Sequence, residues 1–276
     1  MSKIYNSLRR MEMENHSPGA VGAEPTHALE LLNNVRMEPA ELEEAPSAKV
    51  TISPELRLVA LTAPKSLGAE KFHALMTRLE TLRLQRELKS LQVTSSVTSE
   101  GKTLVAANLA VTLAKRSNAK VLLVEGDLRR PALTPLFGLT KLRGLAHWST
   151  ERENDLVRYL YRLNNLSLWF LSTGIACDQP SDILQSPRFA KAFTTLNGWF
   201  DWIVVDSTPI VPVVDVNLWS RLVDVTLLVV REGVTPVKEL KKGLASLDNP
   251  KLVGVILNEA SACDKVSHKN SYCGSK

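Results

Sequence analysis

The stretch "LQVTSSVTSEGKTLVAANLA", from Leu91 to Ala110, ends a short apolar run in a loop of small residues and then begins an amphipathic helix at Lys102. The Walker A pattern G-x-x-x-x-G-K-[ST] holds nucleotide phosphates, and this stretch departs from it at the first position, where Ser96 stands five residues before Gly101. Ser96 is small enough to make the turn that glycine usually makes. The order of strand, loop and helix therefore predicts a phosphate-binding loop.

In such a loop, the backbone N–H groups of residues 99–103 surround the β-phosphate at the positive end of the helix. Lys102 reaches the β- and γ-phosphates, and the Thr103 hydroxyl ligates Mg²⁺. Ser99 is the costly member if its position needs a positive φ, which residues other than glycine adopt reluctantly. The loop predicts a set of ATP-binding residues made of Ser96, Ser99, Glu100, Gly101, Lys102, Thr103 and Leu104.

Strands and helices alternate on both sides of this loop. Helical patterns cover residues 66–88, where Ser66 can cap the helix, and residues 102–115, 181–197 and 236–247. The strands are apolar on both faces, which predicts an α/β fold in which a parallel sheet is covered by helices on both faces and binds ligands at the carboxyl ends of its strands. The strand-like runs are "LQVTS" (91–95), "KVLLVE" (120–125), "LSLWFL" (166–171), "DWIVVD" (201–206), "VTLLVV" (225–230) and "LVGVIL" (252–257).

Acidic side chains follow two of these strands. Glu125 and Asp127 come after the run at 120–125, and Asp206 ends the run at 201–206. An apolar strand that ends in aspartate beside a phosphate-binding loop is the Walker B arrangement, whose carboxylate holds Mg²⁺ directly or through water. The order of the motifs thus predicts a site for a magnesium–nucleotide complex.

Length and composition suit one large domain with tails. Residues 1–50 are predicted to hold a short amphipathic helix, on Ile4, Leu8 and Met11, followed by a disordered linker; residues 51–262 form the nucleotide-binding domain, and residues 263–276 a tail. No apolar run approaches the roughly 18 residues that a membrane span needs, and the start lacks the apolar core of a secretion signal. We therefore expect a cytoplasmic protein.

Charge and cysteine content exclude other classes of site. The net charge is +5, but the basic residues are spread along the chain without a dense Lys/Arg block, so no nucleic-acid partner is expected. The three cysteines show no C-x-x-C spacing, which favours reduced thiols over a zinc site or a disulfide framework.

The motifs, in their order and wording, resemble those of the bacterial tyrosine kinases of capsule and exopolysaccharide systems. That family is a branch of the P-loop NTPases with a deviant Walker motif, which also includes the Min and Par ATPases. The resemblance covers roughly residues 53–260. It rests on "TSSVTSEGKT", "LLVEGDLRRP" and "IVVDSTP", and also on "RPALTPLFGL", "QPSDILQSPRF", "LLVVREGVT" and "LVGVILN".

The resemblance implies a Mg-ATP-dependent protein-tyrosine kinase that phosphorylates itself and other protein tyrosines. Such a kinase works with a membrane polysaccharide co-polymerase that brings it to the inner face of the plasma membrane. By the same resemblance, Lys102 and Glu125 are catalytic, and Glu125 takes the proton of the tyrosine hydroxyl. Asp127 and Asp206 serve Mg²⁺ and Asn258 lies near the adenine. Tyr272 is the phospho-acceptor in a tail where the family has a tyrosine cluster.

Several positions depart from the family pattern. The first acidic residue of "LLVEGDLRRP" is Glu125 where the family has aspartate, and the loop has Thr98–Ser99 where the family has Pro-Gly. Homo-oligomeric rings in the family use an E-x-x-R-x-x-R pattern, which reads "EKFHALM" here, with His73 and Met76 in place of both arginines. These changes weaken the expectation of a ring assembled through those contacts.

Two other functions remain open. Glu125 and the single tail tyrosine are compatible with an ATP-binding adaptor of the same system that has lost kinase activity. A Min/Par-type positioning ATPase is the second alternative, but its signature lysine would fall at position 97, which is valine here.

Overall fold

The computed structural model describes residues 40–43, 45–51, 57–116, 119–151, 155–163, 166–210, 215–247 and 251–260, and these ranges belong to one compact unit. Within them, one sheet carries the architecture. Its strands are β1 (Ser47–Ala48), β2 (Ser90–Ser95), β3 (Val121–Glu125), β4 (Leu160–Leu163), β5 (Leu168–Leu171), β6 (Trp202–Asp206), β7 (Val225–Arg231) and β8 (Leu252–Asn258).

The strand order is β1-β4-β5-β3-β6-β2-β7-β8. All neighbours are parallel except β4 and β5, which are antiparallel. The strand that leads into the phosphate-binding loop, β2, lies between β6 and β7, and β6 also pairs with β3. In the register of β3 and β6, Glu125 is opposite Asp206. The sheet therefore brings the phosphate-binding loop and both acidic strand ends to one edge, as the sequence predicts.

Helices cover both faces of the sheet. They are α1 (Ala40–Glu43), α2 (Val59–Thr62), α3 (Leu67–Arg83), α4 (Lys102–Arg116), α5 (Leu133–Leu136), α6 (Leu145–Thr150), α7 (Pro180–Leu184), α8 (Pro187–Trp199), α9 (Asp215–Leu222) and α10 (Val237–Ser246), with a 3₁₀ turn at Leu156–Tyr159. None of the helices in the described ranges is both long and apolar enough to cross a bilayer.

The central strands are buried on both faces because their side chains alternate between two cores. Val121 and Leu123 of β3 pack in one core with α3 and α4, whereas Leu122 and Val124 pack in the other with aromatic side chains of α8 and α9. In that second core, Trp219 packs edge-to-face against phenylalanine rings of α8. The predicted α/β sheet with helices on both faces is confirmed.

The structure differs from the sequence prediction at particular boundaries. The helix expected at 181–197 is two helices, α7 and α8, because Pro187 follows Ser186, and the residue before a proline is disfavoured in helical conformation. The helix expected at 66–88 has its predicted cap, since the Ser66 hydroxyl accepts the N–H of Ala69, but it ends at Arg83.

The expected disordered linker is too long at its C-terminal end. Residues 40–43 form α1, in which Leu42 is buried. The backbone carbonyl of Leu42 accepts the indole N–H of Trp169 at 3.2 Å. Residues 47–48 form β1, which pairs with β4. The predicted amphipathic helix near the N-terminus and the tail with Tyr272 lie outside the described residues.

Candidate functional site

The phosphate-binding loop leaves β2 after Ser95 and enters α4 at Lys102. Ser99 has φ +66° and Gly101 has φ +93°, so the loop does require the left-handed conformation at the serine. A non-glycine residue in that region is strained by about 1–2 kcal/mol. The expectation that Ser99 would be the costly member of the loop is confirmed.

Glu100 stabilises the loop through hydrogen bonds that lie beneath the cavity surface. Its side chain is buried, its Oε2 accepts the backbone N–H of Val97 at 2.9 Å, and its Oε1 accepts the hydroxyl of Thr235, which precedes α10. The backbone carbonyl of Glu100 accepts the side-chain amide of Asn258 at 2.8 Å. A Cβ added at Gly101 would lie 2.2 Å from that Asn258 nitrogen, so a larger residue would displace the Asn258 amide from this bond.

A cavity of about 760 Å³ opens over the loop. This size is within the range of small-molecule sites. Its lining comes from the loop, from the segments after β3 and β6, and from two segments that sequence reasoning did not assign. The lining residues are Arg57, Thr98, Ser99, Gly101, Lys102, Thr103, Leu104, Asp127, Arg129, Arg130, Ala132, Leu136, Thr208, Pro209 and Glu259.

Three oxygen-bearing side chains meet the Lys102 ammonium at one end of the cavity. Lys102 Nζ lies 3.2 Å from Asp127 Oδ2, 3.4 Å from Asp206 Oδ1 and 3.3 Å from Thr103 Oγ1. Burial lowers the pKa of Lys102, but the attraction of the Asp206 and Asp127 carboxylates outweighs it and raises that pKa overall. A cation is therefore held where two strand ends and a helix start converge.

Asp206 is the deepest of these groups. It is fully buried, and this burial raises its pKa to about 6, with the charge of Lys102 and a hydrogen bond from Thr103 opposing the shift. Asp206 Oδ2 has no hydrogen-bond partner among the described residues. An unpaired buried carboxylate oxygen is costly in an apolar interior and is well suited to a cation.

The donor set fits Mg²⁺. Magnesium prefers oxygen ligands, uses one or two carboxylates and keeps waters and substrate phosphates for the remaining positions. Asp127, Asp206 and the Thr103 hydroxyl offer this set around the point that Lys102 Nζ occupies. In the described ranges, no group of three or more His, Cys, Asp or Glu side chains forms a metal centre of another kind.

The predicted site residues divide into two groups. Those at the cavity surface are Ser99, Gly101, Lys102, Thr103, Leu104 and Asp127. Those behind it, which do not line the cavity, are Ser96, Glu100, Glu125, Asp206 and Asn258. Asp206 still reaches the site through Lys102, and Glu100 and Asn258 hold the loop. The predicted adenine contact of Asn258 stays a prediction, because the structure places its amide on the loop backbone.

Glu125 is not brought to the cavity. Its side chain has no solvent exposure, and its two oxygens accept hydrogen bonds from Thr134, Ser172 and Thr173. Its predicted role as the base stays untested, but the structure gives it other partners.

Sequence reasoning missed the arginines of the cavity. Arg129 and Arg130 belong to "DLRRP", in the segment after β3, and their position two and three residues beyond Asp127 could have marked them. Arg57 carries no such signal. It reaches the cavity because buried Asn108 of α4 donates to its carbonyl at 3.1 Å and accepts the N–H of Ala60 at 3.0 Å.

Comparisons with known proteins agree with this geometry. No family model matches the sequence. The tyrosine-protein kinase YwqD of Bacillus subtilis (strain 168) is 30% identical over 203 residues, which cover 73% of this chain and 85% of YwqD. The succinoglycan biosynthesis transport protein ExoP of Rhizobium meliloti (strain 1021) is 32% identical over 216 residues, which cover 74% of this chain and 26% of ExoP. Among solved structures, the chimerical protein CapA2B2 is 28% identical in sequence to this chain. Its crystal structure superposes with a TM-score of 0.66 and covers 78% of this chain and 94% of that chain.

Proposed function

This chain belongs to the bacterial tyrosine-protein kinases, and we propose that it transfers the γ-phosphoryl group of ATP to a tyrosine hydroxyl in the cavity over the phosphate-binding loop. The acceptor tyrosines are on this chain, with Tyr272 as the candidate, and on other proteins. Relatives named tyrosine-protein kinase support the reaction, and the arrangement of the cavity supports its place.

One observation carries the proposal. At the start of α4, the Asp127 and Asp206 carboxylates and the Thr103 hydroxyl all lie within 3.4 Å of the Lys102 ammonium. A helix start favours negative charge because its first N–H groups are unpaired, so phosphates are attracted to this end of the cavity. A site with both a phosphate-binding helix end and carboxylates suits a nucleotide that carries a divalent cation.

Each residue has a role in this proposal. The backbone from Ser99 to Thr103 would bind the phosphates, with Gly101 allowing the loop to approach closely, while Lys102 would leave the carboxylates and contact the β- and γ-phosphates. Thr103, Asp127 and Asp206 would then hold Mg²⁺, which when bound neutralises charge on the transferring phosphoryl group. Ser96 turns the loop, Glu100 and Asn258 fix it from behind, and Leu104 lies at its helical end.

We also propose a membrane partner. The name of ExoP places that protein in polysaccharide biosynthesis and transport, and this chain matches about a quarter of it. A separate membrane co-polymerase for a capsular or exopolysaccharide would thus recruit this kinase to the inner face of the plasma membrane, and phosphorylation would regulate polysaccharide synthesis and export.

The test is phosphotyrosine formation by the full chain with Mg-ATP, with and without the cytosolic segment of the co-polymerase. We expect wild type and Lys241→Met, which replaces an exposed lysine of α10, to form phosphotyrosine, and Lys102→Met to form none. ATP binding by calorimetry without any phosphotyrosine, even with the partner segment present, would refute the kinase proposal and favour the adaptor.

A further inference from the structure

The Glu125 side chain is enclosed at the end of β3. Its Oε1 accepts the backbone N–H of Thr134 at 2.7 Å. Its Oε2 accepts the hydroxyls of Thr134 and Ser172 at 2.8 and 3.1 Å and the backbone N–H of Thr173 at 3.0 Å. Each carboxylate oxygen thus holds a backbone N–H of a different segment.

One of these segments is a wall of the cavity. Thr134 is in α5, and Ala132 and Leu136 on either side of it line the cavity over the phosphate-binding loop. With no exposed fraction, Glu125 lies behind this wall rather than in it.

The other segment is the loop that follows β5. The carbonyls of Ser172 and Thr173 accept the N–H groups of Leu145 and Ala146 at 2.9 and 3.0 Å, where α6 begins. The Thr173 hydroxyl donates to the backbone carbonyl of Glu125 at 2.9 Å. Glu125 therefore joins the end of β3 to the cavity wall and to the loop after β5.

We infer that Glu125 is a positioning residue that fixes the cavity wall 132–136 for nucleotide binding, and that it does not receive the proton of the acceptor tyrosine. The inference rests on the proposed kinase function. A base must come within about 2.6–3.2 Å of the hydroxyl whose proton it takes. A tyrosine could reach Glu125 only by displacing the wall that Glu125 itself holds.

The length of the side chain is what permits this role. Glutamate carries its carboxylate one C–C bond, about 1.5 Å, farther from the backbone than the aspartate of the family pattern. With aspartate at this position, hydrogen bonds of 2.7–3.0 Å to Thr134 and Thr173 would stretch beyond hydrogen-bonding distance. Glutamine has the right length, but its amide must turn an NH₂ group toward one of the two backbone N–H groups.

The experiment compares Glu125→Gln, Glu125→Asp and Thr134→Val in the full chain. ATP dissociation constants come from calorimetry, and kcat and KM from phosphorylation of a tyrosine peptide. Loss of a hydrogen bond from the wall should weaken ATP binding about three- to tenfold in Glu125→Gln and Thr134→Val. The effect should be at least as large in Glu125→Asp, which loses more than one bond, and kcat should fall less than about tenfold in all three variants. Thr134→Ser, which keeps the hydroxyl, should restore the wild-type values.

Thr134→Val and Glu125→Asp can also be combined in one double variant. Because Thr134→Val and Glu125→Asp remove the same hydroxyl–carboxylate bond, the double variant should bind ATP no more weakly than Glu125→Asp alone. The control is Thr194→Val in α8, which should leave ATP binding unchanged. Among the described residues, the Thr194 hydroxyl bonds only to the carbonyl of Ala190 in its own helix, at 2.9 Å.

Opposite results would overturn the inference. If Glu125 is the base, Glu125→Gln should lower kcat by about 10²–10⁴ with the ATP dissociation constant unchanged, and Thr134→Val should bind ATP like the wild type. If the wild type forms no phosphotyrosine, the kinase proposal fails, but the ATP dissociation constants of the same variants still decide whether Glu125 holds the wall. Thr134→Val retains the volume of threonine, so the comparison survives if Glu125→Asp does not fold.

Discussion

Replacing Asp206 with asparagine removes a carboxylate that the folded protein holds at a cost. Burial raises the pKa of Asp206 from 3.8 to about 6, and the charge of Lys102 and the hydrogen bond from Thr103 offset the burial only in part. Its Oδ2 has no partner among the described residues. At neutral pH, the ionised form therefore lowers the free energy of unfolding.

The sign of the pH dependence follows from the pKa in the two states. Because the folded pKa is above the unfolded one, the folded protein binds the proton more tightly, so stability falls as pH rises from about 4 to about 6. A rise of about two pKa units corresponds to about 3 kcal/mol above pH 6. Because the folded pKa already includes the attraction to Lys102, we expect Asp206→Asn to gain about 1–3 kcal/mol at pH 7.5. For a domain of this size, that gain raises Tm by about 3–9 °C.

The assay is urea unfolding of wild type and Asp206→Asn in EDTA at pH 4.5, 6.0 and 7.5. Taking the difference in free energy of unfolding between the two proteins removes the contribution of the other carboxylates. This difference should grow with pH and level off above pH 6. Asp224→Asn is the matched control: Asp224 Oδ2 accepts the N–H groups of Lys89 and Ser90 and the Ser90 hydroxyl at 2.8–2.9 Å, so this variant should lose stability. An Asp206→Asn variant that is less stable than wild type at pH 7.5, or a difference that ignores pH, would refute the reasoning.

Three further outcomes follow from the site. Lys102→Met should weaken ATP binding about ten- to a hundredfold, since one charge-assisted phosphate contact is lost, whereas Lys241→Met should not; calorimetry decides. Asp127→Asn should weaken ATP binding in Mg²⁺ but barely in EDTA, and equal losses in both would assign Asp127 to structure. Ser99→Gly should raise the free energy of unfolding by about 0.5–1 kcal/mol, because glycine accepts φ +66° without strain. Thr98→Gly should lower the free energy of unfolding, and an increase in this variant would contradict the argument.

The sheet was predictable because its central strands carry a strong local signal. The runs at 120–125, 201–206 and 225–230 are apolar on both faces, and each is a strand within one residue of its predicted limits. The strands β1 and β4 were not predicted. They have two and four residues, and "LYRL" contains no β-branched side chain, so their pairing depends on tertiary contacts rather than on local preference.

The site was predictable where a sequence motif fixes the position of the backbone. It was not predictable where the position of a residue depends on hydrogen-bond partners outside the motif. Lys102, Thr103 and Asp206 follow from a loop and a strand end. Glu125 lies opposite Asp206 in the register, yet its carboxylate turns away toward donors at Thr134, nine residues along the chain, and at Ser172 and Thr173, 47 and 48 residues away. Arg57 likewise depends on a hydrogen bond from Asn108, 51 residues away.

Several unfavourable features of this fold lie at one edge of the sheet. Ser99 is in a left-handed conformation, Asp206 is desolvated, and the buried hydroxyls of Ser96, Ser207 and Thr208 have no hydrogen-bond partners among the described residues. All of them follow β2 or end or follow β6, where two cores hold the strands rigidly from both faces. Such strain persists only where the surrounding packing fixes it. Polar groups that the packing holds without hydrogen-bond partners need little reorganisation to bind phosphates and a cation. The packing of the two cores therefore supplies part of the free energy that would otherwise be needed to order the nucleotide site.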